Sequence, residues 1–423
     1  MTSAQSLPQP GRSGAPSPVA HLAWEHTHRE FLAAVLFKRK IEAMGLVANL
    51  SHITQVQTTG KRPVVFMPFY YDDQDRLAYL RHGWRNRWIV NLCYEQMHFD
   101  CGRGYLLPDG AFARDEMLHC AWGPRFADLL VAHGIPAERV RMTGHLRFDL
   151  YHHPELLWSR ADLAKRYGLD PGRQWLLVPY NFNMAYVTPD VVQYLMARGY
   201  ALTPDFLHGV ARARDEMTAL LRVLADRFPE LEIILRVHPA GFEAEDLYRA
   251  EGQKRPNLHV IAEYDIANWI SQAALTIVWN STSAMEAMVA GRPVIAFEPF
   301  PFASVYGYDV NRIVPSFSTV DEVVAVVESL PDAQLHYDWA LFETWYAHRD
   351  GGNVDRLAAV VAEAAGHWDR FVCRAVEPTL KVAMRGLAQR WQAAPDVSRS
   401  PPPAALAATV ATLRPEPLQD FLK

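Results

Sequence analysis

Short apolar runs alternate with longer amphipathic stretches along most of the chain from residue 19 onward. A strand buried in a parallel sheet is a nearly continuous apolar run, whereas a surface helix repeats its apolar residues every three to four positions. The alternation is therefore typical of βα units, in which helices cover a parallel sheet. It predicts an α/β fold.

Two groups of strands are predicted, separated by a segment without a strand pattern at 145–173. The first group comprises strands near 19–24, 46–50, 63–68, 87–93, 118–122 and 139–143, with helices near 27–44 and 124–133. The second comprises strands near 174–180, 231–237, 257–261, 275–279 and 292–297, helices near 205–228, 266–272 and 281–290, and a polar loop from 181 to about 204. Each group predicts one doubly wound, Rossmann-like unit.

The length of 423 residues agrees with two domains, because single cores rarely grow past about 300 residues. The predicted domains are 19–170 and 171–335, with a cleft between them, followed by Trp-rich helices over 336–392. The terminal segments 1–18 and 393–423 are rich in Pro, Ser and Ala, which predicts a disordered leader and a tail of low complexity.

Charge and cysteine content restrict the partners and the compartment. Lys and Arg total 42 and Asp and Glu total 47, so the net charge of −5 does not favour nucleic acid or an anionic membrane as partner. Any anionic ligand must be held by local chemistry.

The four cysteines form no CxxC pair, and no apolar run approaches the roughly 18 residues that span a bilayer. We expect a cytoplasmic protein, with peripheral membrane attachment left open.

The most informative stretch is LTIVWNSTSAMEAMVAGRPVIAFEP at 275–299. An apolar strand leads into Asn280, the three hydroxyls of Ser281–Ser283 and a helix of small residues. Backbone amides, hydroxyls and the helix dipole would converge there, which favours a phosphate, and Glu286 one turn later could reach a ribose hydroxyl. The alternative is that Ser283 and Glu286 form an ordinary S-x-x-E capping box.

A second candidate follows the strand ILRV, where Arg236 and His238 precede Pro239. Histidine at this position could donate a proton or hydrogen bond to a leaving phosphate, and Arg236 could neutralise its charge. A His-Pro pair at a strand end is also a common turn. Since both turns open on the same edge of the sheet, the functional interpretation is favoured.

The first half offers carboxylates. WEHTHRE at 24–30 places Glu25, His26 and Arg29 at the cleft edge, and Glu95 follows the fourth strand. Either Glu25 or Glu95 could act as general base toward an acceptor hydroxyl, the alternative for each being a solvated charge or helix cap. Arg147 and Asp149, in the segment between the two predicted domains, are predicted to form a structural ion pair beneath the interdomain hinge.

Fingerprints of other classes are missing from the sequence. No GxGxxG or GxxxxGK[ST] pattern occurs, so dinucleotide-binding and P-loop sites are not indicated. The histidines show no HExxH or paired-ligand spacing, so no metal is expected.

The motifs together resemble bacterial surface-carbohydrate and capsule biosynthesis proteins, and their pattern is similar to that of β-Kdo transferases and, more distantly, CDP-glycerol glycerophosphotransferases. The segments that carry the resemblance are Trp24-Glu25, Arg29-Glu30, Tyr94-Glu95-Gln96, Cys120–Pro124, 140–149, His238-Pro239, Ser281–Ser283 and Glu286. The resemblance implies a GT-B glycosyltransferase without an essential metal or other cofactor, with the acceptor in the first domain and a nucleotide-sugar donor in the second.

The resemblance also implies roles for individual residues. His238 and Ser281–Ser283 would contact donor phosphate, Glu286 the ribose or sugar of the donor, and a helix near 353–370 would cross back to the first domain. The expected donor is CMP-Kdo-like or another nucleotide sugar, and the expected acceptor is a capsule glycan or glycolipid. Two alternatives stay open: a polyol-phosphate transferase that uses CDP-glycerol or CDP-ribitol, and a catalytically silent scaffold of a capsule assembly complex.

Overall fold

A computed structural model describes residues 17–56, 60–72, 85–97, 106–197, 199–238 and 248–374. The predicted tail 393–423, nearly all of the predicted leader, the last predicted helical residues up to 392, and Pro239 lie outside the described residues. No helix in the described ranges combines the length and apolar character needed to cross a bilayer.

Two six-stranded parallel sheets form the framework. The alternation of apolar runs predicts all of their strands except the two-residue strand Ser316–Phe317 at the edge of the second sheet. The first has the order β2-β1-β3-β4-β5-β6 and consists of β1 Val19–Trp24, β2 Val47–His52, β3 Pro63–Met67, β4 Trp88–Asn91, β5 Met117–Ala121 and β6 Val140–Met142. The second has the order β12-β11-β10-β7-β8-β9 and consists of β7 Trp175–Tyr180, β8 Glu232–Val237, β9 Leu258–Ile261, β10 Leu275–Val278, β11 Val294–Phe297 and β12 Ser316–Phe317. This confirms the predicted α/β class of two doubly wound units.

Helices connect the strands and cover the sheets. They are α1 Phe31–Ala43, α2 Ala111–Glu116, α3 Pro124–Ala132, α4 Arg160–Tyr167, α5 Pro189–Ala197, α6 Pro204–Arg227, α7 Ile266–Ile270, α8 Ser283–Val289, α9 Phe302–Tyr306, α10 Val310–Ile313, α11 Val320–Glu328, α12 Trp339–Trp345, α13 Asn353–Gly366 and α14 Trp368–Phe371. Short 3₁₀ helices occupy Ile53–Gln55, Ala137–Arg139, Leu146–His152, Pro154–Leu156 and Asn183–Tyr186.

Local signals explain where several elements begin. Strands β3, β4, β5 and β7 are buried along their whole length, as expected for strands covered by helices on both faces. Helix α6 begins at Pro204, and the preceding residue, Thr203, caps it: the Thr203 hydroxyl accepts a hydrogen bond from the amide of Phe206. Capping residues and fully apolar runs therefore allow the ends of these helices and strands to be predicted from the sequence.

One expectation about the second half is wrong. The stretch from 181 to about 204 is not simply a loop, because it contains a 3₁₀ turn at Asn183–Tyr186 and helix α5. None of the α5 side chains is buried. Val192 and Leu195, three positions apart on α5, pack against the core while only partly buried, so the segment has a helical spacing that the prediction of a loop overlooked.

Helix α13 packs against α1 and against the 3₁₀ helix Leu146–His152. The Asp149 carboxylate anchors its first turn by accepting hydrogen bonds from the Asn353 side chain (2.8 Å) and the Val354 amide (2.7 Å). The chain therefore returns to the first unit after completing the second, at the place that the resemblance implied.

Candidate active site

A cavity of about 410 Å³ lies between the two sheets, at the carboxyl ends of their strands. In the second sheet it opens beside β7 and β10, the neighbouring strands at which the strand order reverses. Ligands of open parallel sheets bind at such a switch point, because the loops on either side diverge and leave a crevice. The fold thus leaves a cavity where the motifs end.

Most of the predicted site residues meet in this cavity. Those that line it are Glu95, Arg236, His238, Asn280, Ser281, Thr282, Ser283 and Glu286. Glu25 lies outside the lining, whereas Arg29 from the same turn is part of it. The assembly of these residues in one place is observed, and the role of each stays a prediction.

Arg236 is a buried cation without a carboxylate partner among the described residues. Its side chain is held by backbone oxygens: Nη1 donates to the Val237 carbonyl (2.5 Å) and Nη2 to the Tyr264 carbonyl (2.6 Å). Its buried Nε has no hydrogen-bond partner. Burial lowers the pKa of Arg236 to about 10. Because an unpaired buried charge is costly, this position suits an anionic ligand.

His238 lies at the end of the same strand and is neutral near pH 7. Burial lowers its pKa to about 3, and the positive charges of Arg29, His26 and Arg236 act in the same direction. Its Nδ1 is 3.1 Å from the Asn183 side-chain nitrogen, which can only donate. Nδ1 therefore accepts, and the ring proton resides on Nε2, where it can be donated to a phosphate oxygen.

The turn Ser281–Ser283 contributes hydroxyls rather than a long helix dipole. Helix α8 has seven residues, and the hydroxyl of Thr282, at its N-cap position, makes no capping hydrogen bond. The Ser281 hydroxyl donates to the Ser283 hydroxyl (3.1 Å) and accepts from the Ser283 amide (3.3 Å). The alternative of a capping box between Ser283 and Glu286 is therefore wrong, because the Glu286 carboxylate points away to other partners.

Asn280 turns the chain from β10 into this segment with a left-handed backbone (φ 46°). Its side-chain oxygen accepts from the Asn311 amide group (2.7 Å), and its carbonyl accepts from the Asn181 side chain (3.2 Å). Its buried Nδ2 has no hydrogen-bond partner. Among the described residues, Asn280 is therefore a second lining residue, with Arg236, that has a buried donor without a hydrogen-bond partner.

The opposite wall is a saturated ionic network around Arg29. Nη1 of Arg29 lies 2.8 Å from Glu95, and Nη2 lies 2.7 Å from Glu30 and 3.8 Å from Glu25. Glu30 is buried and also accepts from the Glu25 amide (2.6 Å). The Glu95 side chain is 44% exposed and faces the cavity, so it has the access that a general base requires.

The predicted ion pair between Arg147 and Asp149 is wrong. Arg147 instead bonds Asp265 and Glu286, both in the second half of the chain, while Asp149 anchors α13. The Glu286 carboxylate is therefore already held by protein donors, among them the Tyr151 hydroxyl (2.9 Å). Sequence proximity favoured the wrong partner, since the correct ones are more than a hundred positions away.

Several lining residues were not among the predicted site residues, although His28, Tyr94 and Trp122 lie in the motif segments 24–30, 94–96 and 120–124. His28 lines the cavity, and burial lowers its pKa to about 4. Tyr94, Trp122 and Tyr308 add aromatic surface. Tyr94 is adjacent to the predicted Glu95 and could have been found by its place in the same loop, whereas Tyr308 lies outside every motif.

No family model matches the sequence, and a search of curated proteins finds no match. Solved structures match in fold. The wall teichoic acid polymerase TagF aligns over 84% of this chain and 90% of its own, with a TM-score of 0.54 at 11% identity. Its H548A variant aligns over 83% and 90%, with a TM-score of 0.55 at 10% identity. A UDP-N-acetylglucosamine 2-epimerase from Rickettsia bellii aligns over 84% of this chain and 99% of its own, with a TM-score of 0.47 at 11% identity.

The TagF alignments span both sheets of this chain and nearly the whole of the matched structures. Together with the two parallel sheets and the cleft between them, they show that the fold is GT-B, as the resemblance implied. At these identities they show the fold alone.

Proposed function

We propose that this protein is a metal-independent glycosyltransferase that moves a sugar from a nucleotide-activated donor to an acceptor hydroxyl. The observation that carries the proposal is Arg236, a buried arginine that lines the cavity from strand β8 and has no carboxylate partner among the described residues. A donor phosphate in the cavity would supply the missing negative charge.

The remaining groups of that wall fit the departing nucleotide. As the bond between the sugar and the phosphate oxygen breaks, negative charge develops on that oxygen. His238, which carries its ring proton on Nε2, and the hydroxyls of Ser281–Ser283 would stabilise this charge beside Arg236. These side chains would serve the leaving group as a cation does in metal-dependent transferases.

The other wall would receive the acceptor. Glu95 is the better candidate of the two predicted carboxylates, because it faces the cavity and Glu25 does not. Its carboxylate would take the proton of the acceptor hydroxyl as that oxygen bonds to the sugar. From the resemblance we propose a capsule glycan or glycolipid acceptor, a CMP-Kdo-like or other nucleotide-sugar donor, and a cytoplasmic protein that associates peripherally with the inner membrane or capsule export machinery.

A polyol-phosphate transferase is the second candidate. TagF is a wall teichoic acid polymerase, and one matched structure is described as soaked with CDPG. The same phosphate-binding wall would suit CDP-glycerol or CDP-ribitol, and attack would then occur at phosphorus rather than at a sugar carbon. A catalytically silent scaffold is the third candidate, and it predicts no nucleotide binding.

Nucleotide titration followed by a donor panel tests these candidates. A nucleotide at 100 times its Kd should raise the unfolding free energy by about 2.7 kcal/mol, so melting of the protein with CMP, CDP, UDP and GDP identifies the base. Incubation with the matching nucleotide sugars and with CDP-glycerol, read out as released nucleotide, then separates sugar from polyol-phosphate transfer. Absence of any melting shift would overturn the proposed donor site.

His238→Ala should abolish transfer and leave the melting temperature nearly unchanged. His208→Ala is the matched control, because His208 is an exposed histidine on α6 of the same domain, away from the cavity. Full activity of the His238 variant would remove this residue from the mechanism.

A further inference from the structure

Arg147 uses every hydrogen-bond donor of its guanidinium group. It lies on the 3₁₀ helix Leu146–His152, just after the last strand of the first sheet, and its side chain is buried. Nε and Nη2 donate to the two oxygens of Glu286 (3.1 and 2.9 Å). Nη1 and Nη2 donate to the two oxygens of Asp265 (both 2.8 Å), and Nη1 also donates to the Arg29 carbonyl. All five N–H groups are thus satisfied.

This network determines what Glu286 can offer to a ligand. Among the described residues, its Oε2 accepts from Arg147 and from the Tyr151 hydroxyl (2.9 Å), and its Oε1 accepts from Arg147 alone. A carboxylate has about four acceptor positions, two on each oxygen. Glu286 lines the cavity with one position left, on Oε1, so it can accept a single hydroxyl in a fixed direction.

The second carboxylate connects Arg147 to Arg236. Asp265 directly follows Tyr264, whose carbonyl accepts from Nη2 of Arg236. Tyr264 has a left-handed backbone (φ 64°), a conformation that is strained for a bulky residue and persists only when its surroundings hold it. The bidentate contact of Arg147 with Asp265 is such a restraint, and it therefore also fixes the carbonyl that orients Arg236.

We propose that Arg147 is a positioning residue through which the first domain completes the donor pocket of the second. It aims Glu286 at one hydroxyl of the donor and, through Asp265 and Tyr264, holds Arg236 toward the phosphate. This inference rests on the proposed function, since it takes the occupant of the cavity to be a nucleotide donor. It adds that donor affinity depends on a residue outside the donor domain.

Arg147→Lys tests the proposal because it keeps the charge but loses the planar fork that bonds two carboxylates at once. We expect the Kd of the nucleotide identified by melting, measured by calorimetry, to rise about tenfold, which corresponds to about 1.4 kcal/mol. The KM for the donor should rise by a similar factor with a smaller change in kcat. Tyr151→Phe removes one bond to Glu286 and should raise the Kd about threefold, within the range of a single hydrogen bond.

Arg141→Lys is the matched control. Arg141 bonds both oxygens of Glu363 (3.0 and 2.8 Å), on α13 and away from the cavity. This substitution should lower the melting temperature and leave the Kd and donor KM unchanged, since a purely structural arginine changes only the folded fraction.

The outcomes separate the two proposals. If the wild-type protein binds none of the four nucleotides, the proposed function fails. If the wild-type protein binds and folded Arg147→Lys binds equally well, the positioning role is overturned while the proposed function survives. If Arg147→Lys does not fold, the same titration of Tyr151→Phe decides, and an unchanged Kd there overturns the positioning role.

Discussion

The cavity has a first wall, formed by Arg29 and Glu95 of the first domain, and a second wall, formed by Arg236, His238 and Ser281–Ser283 of the second. The arginines of the two walls have opposite surroundings. On the first wall Arg29 is surrounded by Glu25, Glu30 and Glu95, so its charge is neutralised within the protein. On the second wall, within the part of the chain that the structure describes, Arg236 has only backbone carbonyls as partners, and its Nε has none. The first arrangement stabilises the fold, whereas the second leaves part of its binding capacity for a ligand. The contrast supports the proposal that the second wall receives the anion.

The largest expected effects come from exchanging each arginine for methionine. Arg29→Met leaves the buried Glu30 carboxylate without its cation and should lower the unfolding free energy by about 3 kcal/mol. Arg236→Met removes an unpaired buried charge, so stability should stay within about 1 kcal/mol of the wild type while nucleotide affinity falls about a hundredfold. Chemical denaturation and calorimetry measure both. The contrast between the walls disappears if Arg236→Met is the more destabilised variant or binds nucleotide normally.

Much of this framework was predictable, because buried parallel strands are apolar along their length. The runs that precede His238 and Asn280 therefore marked the strand ends at which the second wall lies. The Arg147 network was not predictable, because its partners Asp265 and Glu286 are distant in sequence and ordinary charged residues by themselves. Burial decides the function of such residues, and burial depends on how two domains meet.

On the first wall, substitution of Glu95 and of Glu25 tests which carboxylate is the general base. Glu95→Gln keeps the shape of the side chain but cannot take a proton, so kcat should fall about a hundredfold, as is typical of a lost general base. Glu25→Gln should change kcat less than about threefold, because this carboxylate lies outside the cavity lining. Nucleotide Kd should stay constant in both variants.

Initial rates of nucleotide release at saturating donor and acceptor provide the measurement, and a melting curve of each variant controls for folding. Equal losses in the two variants would contradict the assignment of Glu95, and a larger loss in Glu25→Gln would reverse it.

A pH series gives the smallest expected effect and compares a structural histidine with a cavity histidine. His119, in the first sheet, has its Nε2 3.0 Å from the Ala113 carbonyl, and burial lowers its pKa to about 4. Its unfolded value is about 6.5, so between these values the unfolded state binds more protons. The stabilisation due to the neutral ring is complete above about pH 6.5 and is lost as the pH falls toward 4.

For one such histidine the loss between pH 7 and pH 5 is about 2 kcal/mol. His238, whose pKa is lowered to about 3, should contribute similarly in the ligand-free protein, so His119→Gln and His238→Gln should each flatten the pH dependence of the unfolding free energy. Saturating nucleotide should cancel the His238 share only, because a bound phosphate raises the pKa of a histidine beside it. Denaturant titrations at pH 5 and 7, with and without nucleotide, measure these shares. A nucleotide that cancels the His119 share instead, or neither share, would contradict the placement of phosphate at His238.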